Sequence, residues 1–129
     1  MSLLSQLVAS GFLAVGLINF LPVIGVIGAA QLQRLYQVSI ADTDLALLMQ
    51  HRALLLSIVG ALLVAAAFRT ELRTAAALAG LTSMVGYLLI IGLGGTSNAS
   101  LIKVAWIDVA AVVILLAALV GDVTLRRAG

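Results

Sequence analysis

The chain has 129 residues, of which 64% are hydrophobic and only 9% are charged. Soluble domains carry about 25% charged residues, so this composition, with a mean hydropathy of +1.27, predicts an integral membrane protein. The net charge of +2 comes from scattered cations without a basic run, which argues against a nucleic-acid partner.

Cysteine is absent and histidine occurs once. A thiolate site is therefore excluded, and one imidazole cannot build a histidine metal site within the chain. We expect no metal and no cofactor. The length allows about four spans of some 20 residues with short connections, which leaves no room for a soluble catalytic domain and predicts a single domain over residues 1–129.

Four apolar runs predict an all-α fold, an antiparallel four-helix bundle in the membrane, with spans at about residues 3–30, 45–68, 74–94 and 104–121. Pro22 cannot donate a backbone hydrogen bond, so a kink is expected in the first span beside Asn19. The polar segment 31–44 is expected to lie at the interface and to start the second helix. The connection from Arg69 to Arg73 is so short that the second and third spans form a hairpin.

The cations of the chain suggest an orientation. Cytoplasmic loops carry an excess of Lys and Arg, and the second connection and the C-terminal tail share four arginines: Arg69, Arg73, Arg126 and Arg127. The opposite side has Arg34 and Lys103, or these two together with Arg52. Both termini are therefore predicted to lie in the cytoplasm.

The last two spans each carry a stripe of small and polar residues at helical spacing, which favours a face turned into the bundle. In the third span the stripe is Ala76, Gly80, Ser83, Tyr87 and Gly94. In the fourth it is Asp108, Ala111, Leu115, Ala118 and Asp122. Trp106 falls on the opposite side of the fourth span, which is typical of the lipid interface.

Antiparallel spans bring five polar residues to a similar depth: Asn19, His51, Arg52, Tyr87 and Asp108. One interpretation is a structural network in which Arg52 or Lys103 neutralises Asp108 and fixes the register of the helices. The other is a polar pocket towards the outer leaflet that binds a lipid-like or quinone-like amphiphile. Because neighbouring helical residues differ by about 100°, His51 and Arg52 cannot both point at the same neighbour.

Several short motifs carry a resemblance: Asn19-Phe-Leu-Pro22, Arg34-Leu-Tyr36, Asp44-Leu45, His51-Arg-Ala53 and the late Asp108. In these the chain resembles a family of small four-span bacterial inner-membrane proteins of uncharacterised activity, similar in size and layout to DoxX-like proteins. Gln37 departs from that pattern, where glycine is expected. The resemblance implies a multi-pass protein of the bacterial inner (cytoplasmic) membrane.

Sequences of this kind sometimes carry the label phosphopantetheine adenylyltransferase, which the residues argue against. Such an enzyme needs a soluble nucleotide-binding domain with a histidine in its phosphate-binding motif. This chain has neither the length outside its spans nor a second histidine.

Three functions remain open. The first is a non-enzymatic membrane protein that binds an amphiphile or a membrane-protein partner, with a homodimer among the possible assemblies. The second is a small multidrug-type transporter, although such transporters resemble proteins with a carboxylate in the first span, where this chain has Asn19. The third is a membrane-embedded isomerase or hydrolase that uses His51 and Asp108 for acid–base chemistry.

Overall fold

A computed structural model describes residues 2–21 and 43–128. Within these stretches the chain forms four α-helices, one 3-10 turn and no strand. The helices are α1 (Leu3–Phe20), α2 (Thr43–Phe68), α3 (Arg73–Gly94) and α4 (Ala99–Ala128), and the turn Thr70–Leu72 joins α2 to α3. The predicted all-α class is confirmed. Residues 22–42, and with them the Pro22 kink and most of the interfacial segment, lie outside the described residues.

Local sequence explains where the helices begin and end. The Ser2 side chain accepts a hydrogen bond of 3.2 Å from the Ser5 amide at the start of α1, as N-cap residues do. Gly95 ends α3 with a φ of +71°, a conformation that favours glycine. The side-chain Oδ1 of Asn98 accepts a hydrogen bond of 2.9 Å from the Ser100 amide. The helix α4 begins at Ala99, five residues before the predicted membrane span at about residue 104. The helix α4 ends at Ala128, beyond the apolar run that ends the predicted span at about residue 121.

The helices form a closed ring in which α1 packs on α2 and α4, and α3 packs on the same two. The helices α1 and α2 approach each other closely, because a Cβ placed on Gly60 would lie 2.6 Å from the Phe20 amide nitrogen. A Cβ on Gly16 would likewise lie 2.7 Å from the backbone nitrogen of Val64. Since later residues of α1 meet earlier residues of α2, the two helices are antiparallel. The predicted antiparallel bundle is therefore observed among the described helices.

Alanine fills much of the core, together with a few larger side chains. The fully buried positions include Phe12 of α1, Leu63 of α2, Met84 of α3 and Leu115 of α4. Small residues let helix backbones approach closely, which is the usual packing mode in a membrane. The stripe predicted for α4 is confirmed at its centre, where Ala111, Leu115 and Ala118 are buried.

The outer surface of the bundle is strongly apolar. Large hydrophobic side chains such as Leu48, Leu93 and Val113 are exposed, whereas the charged residues Arg73 and Asp122 are buried. A soluble domain rarely has both features. All four helices are also long and apolar enough to span a bilayer, so the protein is a multi-pass membrane protein.

Trp106 on α4 is 70% exposed, on the side away from the bundle as predicted. The bundle has two distinct ends. The terminal end holds the start of α1, the turn Thr70–Leu72 and the end of α4. The opposite end holds the last turn of α1 and the first turns of α2 and α4.

Candidate functional site

A cavity of about 440 Å³ lies between the four helices, towards the end opposite the termini. Four of the five residues predicted to form a polar site line it: Asn19, Arg52, Tyr87 and Asp108. Each comes from a different helix. The remaining lining is mainly aliphatic and includes Leu56, Val59 and Val104. Its volume falls within the range of about 300–1,000 Å³ that is common for small-molecule sites.

Arg52 and Asp108 lie at equal distances from the first residues of their helices. Arg52 lies nine residues after Thr43, the first residue of α2, and Asp108 lies nine residues after Ala99, the first residue of α4. At 1.5 Å per residue, each is about 14 Å along its helix. Both side chains are half-buried, so each faces the cavity without being sealed in the core.

Tyr87 positions Arg52, the cationic side chain of the cavity lining. The guanidinium carbon of Arg52 lies 5.3 Å from the centroid of the Tyr87 ring, a cation–π geometry. The Tyr87 hydroxyl donates a hydrogen bond of 3.1 Å to the Leu101 carbonyl, which fixes the ring between α3 and α4. The Arg52 head is thereby held at the cavity by a ring that is itself anchored.

Asn19 supplies a buried amide at the end of α1. Its side-chain nitrogen donates to the Val15 carbonyl at 3.0 Å and lies 3.6 Å from the Met84 sulfur. The first contact turns the amide back along its own helix and the second joins α1 to α3. The relation of Asn19 to the Pro22 kink lies outside the described residues.

The structure does not bring His51 to the cavity. Its side chain is exposed and is not part of the lining, although it is adjacent in sequence to Arg52, which is. The angle of about 100° between neighbouring helical positions accounts for this difference. A joint site of His51 and Asp108 therefore receives no support from the geometry.

The predicted neutralisation of Asp108 by Arg52 or Lys103 does not appear as a direct contact. The ion pairs that the structure shows within residues 2–21 and 43–128 are Arg69 with Glu71, and both Arg73 and Arg126 with Asp122. Arg52 and Asp108 instead share the cavity wall. Ligand binding by these residues stays a prediction.

A second polar cluster, which the sequence analysis did not identify, lies at the terminal end. Arg73 is only 2% exposed, and its Nη1 lies 3.2 Å from Oδ1 of the buried Asp122. The other carboxylate oxygen of Asp122 lies 2.8 Å from Nε of Arg126. This cluster of Arg73, Asp122 and Arg126 is referred to below as the arginine cluster.

The arginine cluster also terminates α2. Nε of Arg73 donates to the Ala66 carbonyl at 3.0 Å and Nη2 donates to the Ala67 carbonyl at 3.2 Å. These carbonyls belong to the last turn of α2, where no intrahelical donor follows. The Arg73 guanidinium carbon also lies 5.7 Å from the Phe12 ring centroid, so this side chain contacts α1, α2 and α4 from the start of α3.

One signal in the sequence points to this cluster. Asp122 continues the stripe of Asp108, Ala111, Leu115 and Ala118, and it is buried as that face requires. A buried carboxylate needs a cation, and the sequence offers arginines at that end of the bundle in the connection from Arg69 to Arg73 and in the C-terminal tail.

Metal ligands do not assemble in the described part of the chain, where no group of three or more His, Asp or Glu residues comes together. Comparisons with known protein families, with curated proteins and with solved structures find no match to this chain. The candidate site therefore rests on its own geometry.

Proposed function

We propose that the chain is a non-enzymatic protein of the bacterial inner membrane, of the DoxX-like layout, whose cavity holds a lipid-like or quinone-like amphiphile. The observation that carries this proposal is the convergence of four polar side chains, one from each helix, in one cavity with aliphatic walls. Such a site orients a polar head by a few directed contacts and leaves an apolar tail to the walls.

Part of the cavity lining is also exposed on the apolar outer surface, which provides a route for the apolar tail of a ligand. Leu21, Leu55 and Ile90 line the cavity and are also 68%, 49% and 72% exposed, respectively. They connect the interior of the cavity with the apolar surface of the bundle. A tail that leaves along them remains in hydrocarbon, while the head stays beside Arg52 and Asp108.

The two polar clusters differ in a way that favours binding over a purely structural role for the cavity residues. In the arginine cluster, the side chains of Arg73 and Asp122 are each 3% exposed and pair directly. At the cavity, Arg52 and Asp108 are half-buried and face open volume. The arginine cluster joins α2, α3 and α4, so it can fix the register of these helices without the cavity residues.

The exposed arginines support an orientation with both termini in the cytoplasm. Arg69, Arg126 and Arg127 lie at the terminal end and are exposed, which agrees with the excess of cations in cytoplasmic loops. The cavity then opens towards the outer leaflet. The isomerase or hydrolase alternative is disfavoured because His51 lies off the cavity.

Native mass spectrometry after gentle purification tests the proposal. A Cβ on Gly86 would meet no atom within 4 Å, and Gly86 lines the cavity, so Gly86→Leu is expected to place a side chain in the cavity and to obstruct it. Gly92→Leu is the matched control, because Gly92 lies on the same helix, is equally uncrowded and is not part of the lining.

Wild type and Gly92→Leu are expected to retain the same lipid or quinone, and Gly86→Leu is expected to lose it. His51→Gln, which changes an exposed side chain next to Arg52, is expected to retain it as well. If wild type retains no amphiphile, or if Gly86→Leu retains as much as wild type, the proposed function is wrong.

A further inference from the structure

The gap between α2 and α3 widens from the middle of the bundle towards the cavity. In the middle the two helices pack tightly, since a Cβ on Gly80 of α3 would lie 3.1 Å from Cδ1 of Leu63 on α2. Six residues further along α3, which is about 9 Å at 1.5 Å per residue, a Cβ on Gly86 would meet no atom within 4 Å. Because Gly86 lines the cavity, the gap opens into it.

The edges of this gap are apolar. Leu55 on α2 and Ile90 on α3 line the cavity and are at the same time 49% and 72% exposed. A contact between side chains crosses the gap, because the guanidinium carbon of Arg52 on α2 lies 5.3 Å from the Tyr87 ring centroid on α3. Both helices belong to the continuous described stretch 43–128. The gap with Leu55 and Ile90 at its edges is referred to below as the window.

Other sides of the cavity are held more closely. The helices α1 and α2 touch beside Asn19, where a Cβ on Gly60 would lie 2.9 Å from the Asn19 carbonyl carbon. The hydrogen bond of 3.1 Å from the Tyr87 hydroxyl to the Leu101 carbonyl joins α3 to α4. Towards the terminal end the cavity meets the core at Leu63, which is fully buried. A ligand that passes at these contacts would have to move the helices apart.

We propose that the cavity exchanges its occupant directly with the bilayer through the window, and that the apolar tail of the occupant lies between Leu55 and Ile90. This inference rests on the proposed function, to which it adds the route of the ligand. The exposed residues next to these two in sequence, Leu54 and Leu89, are apolar as well, so the outer side of the window adjoins hydrocarbon. The route selects amphiphiles that partition into the bilayer over solutes dissolved in water.

The absence of cysteine from the chain permits a direct measurement of access to the cavity. Ser83→Cys places one thiol in the lining with a small change in side-chain size. The full-length variant in phosphatidylcholine vesicles is treated with N-dodecylmaleimide, which dissolves in the bilayer, or with a sulfonated maleimide, which stays in water. Entry through the window predicts that the dodecyl reagent modifies this thiol faster than the sulfonated reagent does.

Bulky side chains at the edges of the window should slow this reaction. In the Ser83→Cys background, Leu55→Trp or Ile90→Trp should lower the rate with the dodecyl reagent by about tenfold, since an indole must be displaced before the reagent passes. The matched controls are Leu54→Trp and Leu89→Trp. These positions are also exposed, are not part of the lining and point about 100° away from their neighbours at the window. Their rates should equal that of Ser83→Cys alone.

A misfolded variant would expose the thiol and react faster, so a slower reaction reports obstruction. The window is wrong if Leu55→Trp and Ile90→Trp react no more slowly than the two controls, or if the sulfonated reagent reacts faster than the dodecyl reagent. It is also wrong if only Ile107→Trp slows the reaction, because Ile107 of α4 lines the cavity away from the window. The proposed function is judged separately by the amphiphile that Gly86→Leu loses, so it can stand when the window fails.

Discussion

Removing the Arg73 guanidinium should destabilise the bundle more than any other loss of one charge at its terminal end. Arg73→Met deletes three contacts at once: those to the Ala66 carbonyl at 3.0 Å, to the Ala67 carbonyl at 3.2 Å and to the Asp122 carboxylate at 3.2 Å. The two carbonyl oxygens and Oδ1 of Asp122 then lose their donor in a setting without bulk water, and buried polar atoms without a partner are costly.

The expected loss of stability in Arg73→Met depends on the contacts that Asp122 keeps. Breaking a buried ion pair typically costs about 3–5 kcal/mol. Asp122 keeps its contact of 2.8 Å with Arg126, so the lower end applies and we expect a loss of about 3 kcal/mol. For a chain of this length that corresponds to a decrease in Tm of roughly 10 °C, measurable by thermal unfolding in a mild detergent.

The matched control is Arg69→Met. It removes a cation from the same short connection, so any effect of charge on membrane orientation is the same in both variants. Arg69 pairs with Glu71 at 2.7 Å, but the two side chains are 67% and 59% exposed, and such pairs contribute little. Its Tm should remain close to that of wild type.

A second variant separates the ion pair from the capping of α2. Arg73→Met combined with Asp122→Leu removes the buried carboxylate together with its partner, and replacing both members of a buried pair by apolar residues is often tolerated. The double variant should therefore be more stable than additivity predicts. If Arg73→Met and Arg69→Met lower the Tm equally, the arginine cluster does not stabilise the bundle.

Three further predictions concern the rest of the fold. Gly60→Ala should cost about 1–3 kcal/mol, because its Cβ would lie 2.6 Å from backbone of α1, whereas Gly92→Ala should be nearly neutral in the same unfolding assay; equal effects would contradict the close crossing. Tyr87→Phe should cost about 1 kcal/mol by loss of its hydrogen bond to the Leu101 carbonyl, and an unchanged Tm would show that this bond is not formed. A cysteine at Thr96 should react with an impermeant reagent from the periplasmic side of intact cells; labelling only from the cytoplasmic side would reverse the orientation.

The sequence was sufficient to predict the helices because their signals are local. Apolar runs marked α2 and α3 to within about two residues of their observed ends. The stripe on α4 correctly placed Asp108 and Asp122 towards the bundle, because a period of 3.6 residues depends only on helix geometry. The short connection after Phe68 forced the hairpin.

The positions of particular side chains were not predictable in the same way. Nothing in the sequence decides which of His51 and Arg52 turns inward, since that depends on the rotation of α2 against its neighbours. Arg73 was assigned to a surface connection, but α3 begins at this residue and its long side chain folds back over the end of α2. That contact depends on the hairpin geometry, which no single helix specifies.

The central claim is that an amphiphile occupies the cavity between Arg52 and Asp108. An experimental structure of the wild-type protein in nanodiscs of native lipid tests it most directly. The account predicts non-protein density with a compact head between these two side chains and a tail that leaves past Ile90. A cavity that contains only water, or density that contacts the protein surface elsewhere, would contradict it.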